Sequence, residues 1–186
     1  MAPKTETGKY QDKITKLLSK IFGEVGVEKE WDVAKNSQDD FTKDLYCPRI
    51  DIAVGPFNIT RDVENNVGTI NNALGQFPSF IEGLEQISCI PLEEYNENPR
   101  CLIAIEIEKR GTRKHMLGDI INASSIGKFG IIVPWDDKAH SAFERIKRYL
   151  DFIKTVKKTS YAPKNLLIIR KTNLKKFLED FISQNL

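Results

Sequence analysis

Three short runs in this chain are apolar almost without a break: CLIAIEIE at 101–108, KFGIIVPW at 128–135 and LLIIR at 166–170. A strand with one wet face alternates apolar and polar residues. A strand covered on both faces has no need to, so runs like these belong inside a sheet with helices on either side. The segments between them carry helical spacing. Arg113 to Ile126 reads as a helix, and 137–158 is the clearest amphipathic helix, with Phe143, Ile146, Leu150, Ile153 and Val156 on one side. Buried strands separated by helices define an α/β fold, a mixed central β-sheet flanked by helices with some parallel pairing.

The remaining elements follow the same rules. Tyr10 to Phe22 holds Ile14, Leu17, Leu18 and Ile21 at helical spacing and ends at Gly23. A short strand is expected near Trp31–Val33. Another is expected at 49–59, RIDIAVGPFNI, stopping near Gly55-Pro56, with Arg49, Asp51 and Ala53 on one face and Ile50, Ile52 and Val54 on the other. Residues 66–87 favour helix, broken near Pro78, and 91–100 form a polar loop. Asn173 is placed to cap a last helix through Phe181. No shift in composition marks a boundary, so residues 1–186 read as one domain.

Charge narrows the partners only a little. Lys and Arg number 28 against 26 Asp and Glu, for a net charge of +2, so any attraction to nucleic acid must come from local clustering. Cys47, Cys89 and Cys101 are odd in number and far apart, with no CxxC or Cys/His zinc spacing, and are expected as reduced thiols in the cytoplasm. The polar N-terminus lacks a signal-peptide core, and no apolar run approaches about 18 residues, so no membrane span is expected. GxSxG, P-loop and GxGxxG patterns are absent, which removes any sequence basis for serine hydrolase, nucleotide-binding and Rossmann readings.

The run at 101–108 has one anomaly. Period two puts Leu102, Ala104, Glu106 and Glu108 on one face, with Ile103, Ile105, Ile107 and Lys109 on the other. Two carboxylates about 6–7 Å apart on a covered face repel each other, and burial raises their pKa values. A divalent cation resolves the conflict, and hard oxygen donors suit Mg2+ (or Mn2+). Asp51, held between Ile50 and Ile52, is the third candidate ligand. Glu24, Glu28 and Glu30 are further candidates, with nothing to choose among them. The plainer alternatives are an exposed strand with alternating glutamates and an Asp51–Arg49 salt bridge.

Pro48-Arg49-Ile50-Asp51, then Glu106-Ile107-Glu108, then a helix at 113–126 and the strand IGKFGIIV form a pattern over roughly residues 46–134. It resembles the PD-(D/E)xK nuclease superfamily, in the ExE variant found in a minority of restriction enzymes. The resemblance implies a restriction-endonuclease-like core and magnesium-dependent hydrolysis of phosphodiester bonds in DNA. It implies that Asp51 and Glu106 hold the metal, with Glu108 where the catalytic lysine usually stands. Glu108 then either binds a second metal or holds the attacking water. The Pro–Asp pair is loosened by two residues, and Lys109 comes one position late. The 55 positions between Asp51 and Glu106 imply an insertion at about 60–100, a segment that touches DNA in many nucleases.

Arg110, Arg113 and Lys114 are the expected nucleic-acid contacts, with His115 beside them, although a solvated helix start explains the same run. The cations of the 137–158 helix read as an ordinary charged outer face, and His140 as a surface residue. A homodimer is expected because cutting both strands takes two sites related by symmetry. The rivals are a non-catalytic nucleic-acid-binding or assembly protein on the same fold, and a nuclease for RNA or branched DNA.

Overall fold

Each of the three apolar runs is a strand. The computed structural model describes residues 5–23, 25–33, 47–57, 63–109 and 111–185, except for the side chains of Val63 and Asn66. In chain order the elements are α1 (Glu6–Ile21), β1 (Val27–Asp32), β2 (Arg49–Val54), α2 (Val63–Leu74), α3 (Pro78–Ile87) and β3 (Cys101–Glu108). They are followed by α4 (Arg113–Ile126), β4 (Gly127–Pro134), α5 (Asp137–Thr155), β5 (Leu166–Ile168) and α6 (Lys171–Asn185). Glu24, Arg110 and most of the polar stretch after β1 lie outside the described residues.

One five-stranded sheet runs β1-β2-β3-β4-β5 in spatial order. The first two pairings are antiparallel, and β3–β4 and β4–β5 are parallel. The parallel half carries the fully apolar runs, since helices cover it on both sides. Ile103, Ile105, Ile107, Phe129 and Ile131 pack with α1, α2, α3 and α6 residues such as Leu18, Ile70, Phe80 and Leu174. On the other face Ala104, Ile132 and Ile168 pack with Met116, Ile120 and Ala123 of α4 and with Phe143 and Leu150 of α5. Full burial of each large apolar side chain contributes about 1.5–3 kcal/mol.

The expected insertion, residues 60–100, holds α2 and α3. Its Ile70, Phe80, Ile81 and Leu84 are buried against α1 and α6, so the helix pair is part of the core. It occupies the face of the sheet opposite α4 and α5.

Several expectations need correcting. Alternation along β3 is regular only from Ile103, because Leu102 packs on the α1 side and Cys101 on the α4 side. In β2, Ile50 leaves Ile52 and Val54 and packs with Trp31 on the α4–α5 side, next to a break in the β1 pairing described below. Asn173 lies inside α6, which begins at Lys171. On α5, Val156 is exposed while Lys147 is buried, its ammonium 2.9 Å from Asp151 and 3.8 Å from Glu93. A stripe reading treats lysines as outer-face residues, but this lysine carries its charge inward to partners that satisfy it.

Candidate metal centre

The ladder between β2 and β3 pairs Val54 with Ile103, Ala53 with Ala104 and Ile52 with Ile105, and goes no further. The next residues in register are Asp51 and Glu106. There the side chains take over the hydrogen bonds: the Ile107 amide donates to Asp51 Oδ2 at 2.8 Å, and the Asp51 amide donates toward Glu106 Oε2 at 3.4 Å. The two strands part at the acids, and carboxylate oxygens occupy the opening.

A matching break lies on the other side of β2. β1 pairs Lys29 with Ile52 and Trp31 with Ile50, which leaves Glu30 across from Asp51 without a ladder bond. Glu30 has φ of +52°, a left-handed conformation that costs a non-glycine residue roughly 1–2 kcal/mol. Gln11, buried on α1, fills the gap: its Nε2 donates to the Asp51 carbonyl at 2.7 Å and to Glu30 Oε1 at 2.9 Å. Glu30 Oε2 in turn meets Arg49 Nε at 2.9 Å. Asp51 is thus fixed by β1, α1 and β3 at once. Of the three glutamates after α1, the described ones are Glu28 and Glu30, and Glu30 is the one that faces Asp51.

A fourth acid comes from α4. Met116, Ile120 and Ala123 turn inward, and Asp119 sits on the same stretch of helix. Its Oδ2 is buried without a hydrogen-bond partner, and the side chain shares a hydrogen bond with Glu108. A bond between two carboxyl groups needs a proton on one of them. Asn122, one residue short of the next turn, hydrogen-bonds Glu106.

The electrostatics follow from this crowding. Burial, then repulsion from Asp51 and Asp119, pushes the Glu106 carboxyl up to about 9, against the relief given by the Asp51 amide and Asn122. Burial, then Glu108 and Asp51, raises Asp119 to about 7. Burial also raises Asp51, to about 6, with Glu30 and Glu108 adding to the effect and the Ile107 amide opposing it. Like charges held this close cannot all ionise without a counter-charge.

The donor set is all hard oxygen, and one of its carboxylate oxygens, Asp119 Oδ2, is buried without a hydrogen-bond partner, so the residues fit a magnesium- or manganese-type ion chemically. They are not drawn to a single point. Among the described residues, the one group of three His, Cys, Asp or Glu with ligand atoms all within 4.8 Å of one another is Cys89, His140 and Glu144. An ion at the acids would contact one or two carboxylates and complete its shell with water and substrate oxygens, the mode magnesium favours.

Basic residues border the acids. The Cα of Gly111 lies so near the Glu108 carboxylate that a Cβ there would collide with it. Gly111, Lys109, Arg113, Lys138 and Arg145 line a cavity of about 500 Å3 between the end of β3, α4 and α5, and among the described residues Asp136 is the acid in its lining. Lys109 sends its ammonium toward α1, to Glu6 at 2.6 Å and over the Trp135 ring, as strand parity requires. Lys114 and His115 are exposed on the first turn of α4, beside the cavity and not among its lining.

Of the acids singled out in the sequence, the fold places Asp51 beside Glu106, and Glu108 beside Asp119, an acid the sequence reading did not single out. The missing signal was an acid among the inward-facing positions of an otherwise apolar helix stripe. Sequence reading also misplaced His140, which is 3% exposed and touches Cys89 and Glu144. Searches against protein-family models, curated proteins and solved structures found no match for this chain.

Proposed function

We propose that this protein is a divalent-cation-dependent nuclease that hydrolyses phosphodiester bonds in DNA. The observation that carries the reading is the opening of the β2–β3 ladder at Asp51 and Glu106, near which Asp119 of α4 also lies, with burial and mutual repulsion raising the pKa values of all three. A mixed sheet in which a helix joins β3 to a parallel β4 agrees with the restriction-endonuclease-like core that the sequence resemblance implies.

A bound divalent cation supplies Lewis acidity at a phosphoryl oxygen and lowers the pKa of an attacking water. Asp51 and Glu106 would hold it. The Ile107 amide orients Asp51, while Asn122 and the Asp51 amide orient Glu106. Glu108, hydrogen-bonded to Asp119, would accept the proton of the incoming water only after the cation's charge has driven the proton shared by the pair into solvent. The phosphate chain would lie over the basic cavity, with Arg113, Lys138 and Arg145 offsetting its charge. Lys109, bound to Glu6, takes no part. The restriction-type role, the homodimer and the cytoplasmic address belong to the same proposal.

A non-catalytic nucleic-acid-binding protein is the second reading, favoured by the turning of Lys109 away from the acids. Plasmid DNA incubated with magnesium or manganese separates the two. The nuclease reading expects cleavage by the wild type and its loss in Asp51→Ala and Glu106→Ala. Cleavage equal in all three removes the site. Binding without cleavage under either metal favours the second reading, and faster turnover of RNA or branched DNA would reassign the substrate.

A further inference from the structure

At the β5 edge of the sheet, far in sequence from the acids, three metal-type side chains meet. Cys89 follows α3, and its amide is hydrogen-bonded to the Ile168 carbonyl at 3.3 Å; neighbouring Ser88 bonds Ile90 and Ile168. His140 and Glu144 are one turn apart on α5, so they project from the same side of the helix. Cys89 Sγ stands 3.2 Å from His140 Nε2, and Glu144 Oε2 stands 3.7 Å from His140 Nδ1. One ligand atom from each lies within 4.8 Å of the other two.

We propose that Cys89, His140 and Glu144 form a second cation site, distinct from the acids, that takes zinc or a similar borderline-soft divalent ion. Sulfur, imidazole nitrogen and carboxylate oxygen together match zinc, and they select against magnesium, which wants oxygen alone. Three protein ligands leave a fourth tetrahedral position for water. Only one ring nitrogen of His140 can bind the ion, so a donor now up to 4.8 Å from the others would move closer as the ion binds.

The surrounding charge also balances. Arg170 Nε pairs with Asp137 Oδ1 at 3.0 Å, and its other arm reaches Cys89 Sγ at 3.8 Å. Thiolate, Glu144 and Asp137 against Arg170 leave two negative charges for a dication to neutralise. On binding, the Cys89 proton passes to water and the sulfur–metal bond replaces the sulfur–hydrogen bond.

Cobalt is the probe, because a cobalt–thiolate bond absorbs in the near ultraviolet and a cobalt–carboxylate bond does not. Metal-stripped full-length protein titrated with Co2+ should develop this band at one equivalent, and Zn2+ should abolish it. Cys89 is exposed and Glu144 half-buried on the helix surface, so both tolerate substitution. Cys89→Ser should remove the band, and Glu144→Gln should weaken cobalt binding at least about tenfold. Saturating zinc should protect Cys89 from alkylation. The site is refuted by the absence of the band, by its persistence in Cys89→Ser, by unchanged affinity in Glu144→Gln, or by equal alkylation of Cys89 with and without zinc. None of these readouts depends on DNA cleavage.

Discussion

Where β2 and β3 part, four carboxylates face one another, whereas beside β5 a thiol, an imidazole and a carboxylate come together as three different donors. The first group is destabilising by construction. Burial and neighbouring acids raise the pKa values of Asp51, Glu106 and Asp119 together, and a left-handed Glu30 sits at the break in the β1–β2 ladder. The second is held by ordinary contacts, because His140 is hydrogen-bonded to Cys89 and lies 3.7 Å from Glu144, while Arg170 pairs with Asp137 beside them. Backbone strain and raised carboxyl pKa values collect at the acids, a pattern typical of functional sites. That contrast is why the acids, and not the more compact Cys89 group, carry the catalytic proposal.

The largest expected effect is on turnover. If Asp51 and Glu106 hold the cation, alanine at either removes several kcal/mol of transition-state stabilisation, or about 1000-fold or more in cleavage rate at 1.36 kcal/mol per decade. Cys89→Ser should cleave plasmid DNA at a rate within about threefold of wild type, because it lies outside that cluster. A steep loss in Cys89→Ser would erase the distinction between the two regions.

Stability should move the other way. Glu106→Gln keeps an acceptor for the Asp51 amide while removing the need to hold a proton, so the metal-free variant should be more stable than wild type by about 2 kcal/mol at pH 8. Chemical denaturation measures this. Destabilisation would mean that the acids are already compensated within the protein.

The pH profile gives the third test. Asp51, Asp119 and Glu106 are raised from ordinary values of 3.8, 3.8 and 4.5 to about 6, 7 and 9. The folded state therefore binds more protons than the unfolded chain across this window. Its stabilising contribution is complete below about pH 4 and is lost as pH rises through 6, 7 and then 9. Thermal midpoints of the metal-free protein should fall over that range, and the gain on adding manganese should grow with pH. A gain independent of pH would place the ion elsewhere.

The smallest effect should come from Gly111→Ala. The new methyl displaces the Glu108 carboxylate without altering any charge. Manganese affinity should drop about threefold to tenfold, with little change in stability, as calorimetric titration would show.

The fold was legible in the sequence wherever hydrophobic pattern decides structure. α4 starts and stops where its spacing says, and the three apolar runs are β3, β4 and the edge strand β5, the parallel half that helices cover on both faces. β1 was only half-seen. Its polar residues carry no alternation, and its kink at Glu30 answers to Gln11 on another element. Asp51 and the two glutamates were legible because acids in apolar strands are conspicuous. Asp119 hid in a helix, where polar residues are expected, and His140 meets a cysteine 51 positions away, beyond the reach of any spacing rule. Among the described residues no helix is long and apolar enough to cross a membrane, in line with the sequence expectation.

Manganese soaked into crystals at pH 8 and located by its anomalous scattering tests the central claim most directly. The account predicts a peak between the carboxylates of Asp51 and Glu106, with Asp119 or Glu108 reaching it directly or through water. A map with no peak there, and the Ile107 amide still bound to Asp51 across a closed pair of protonated acids, would contradict it.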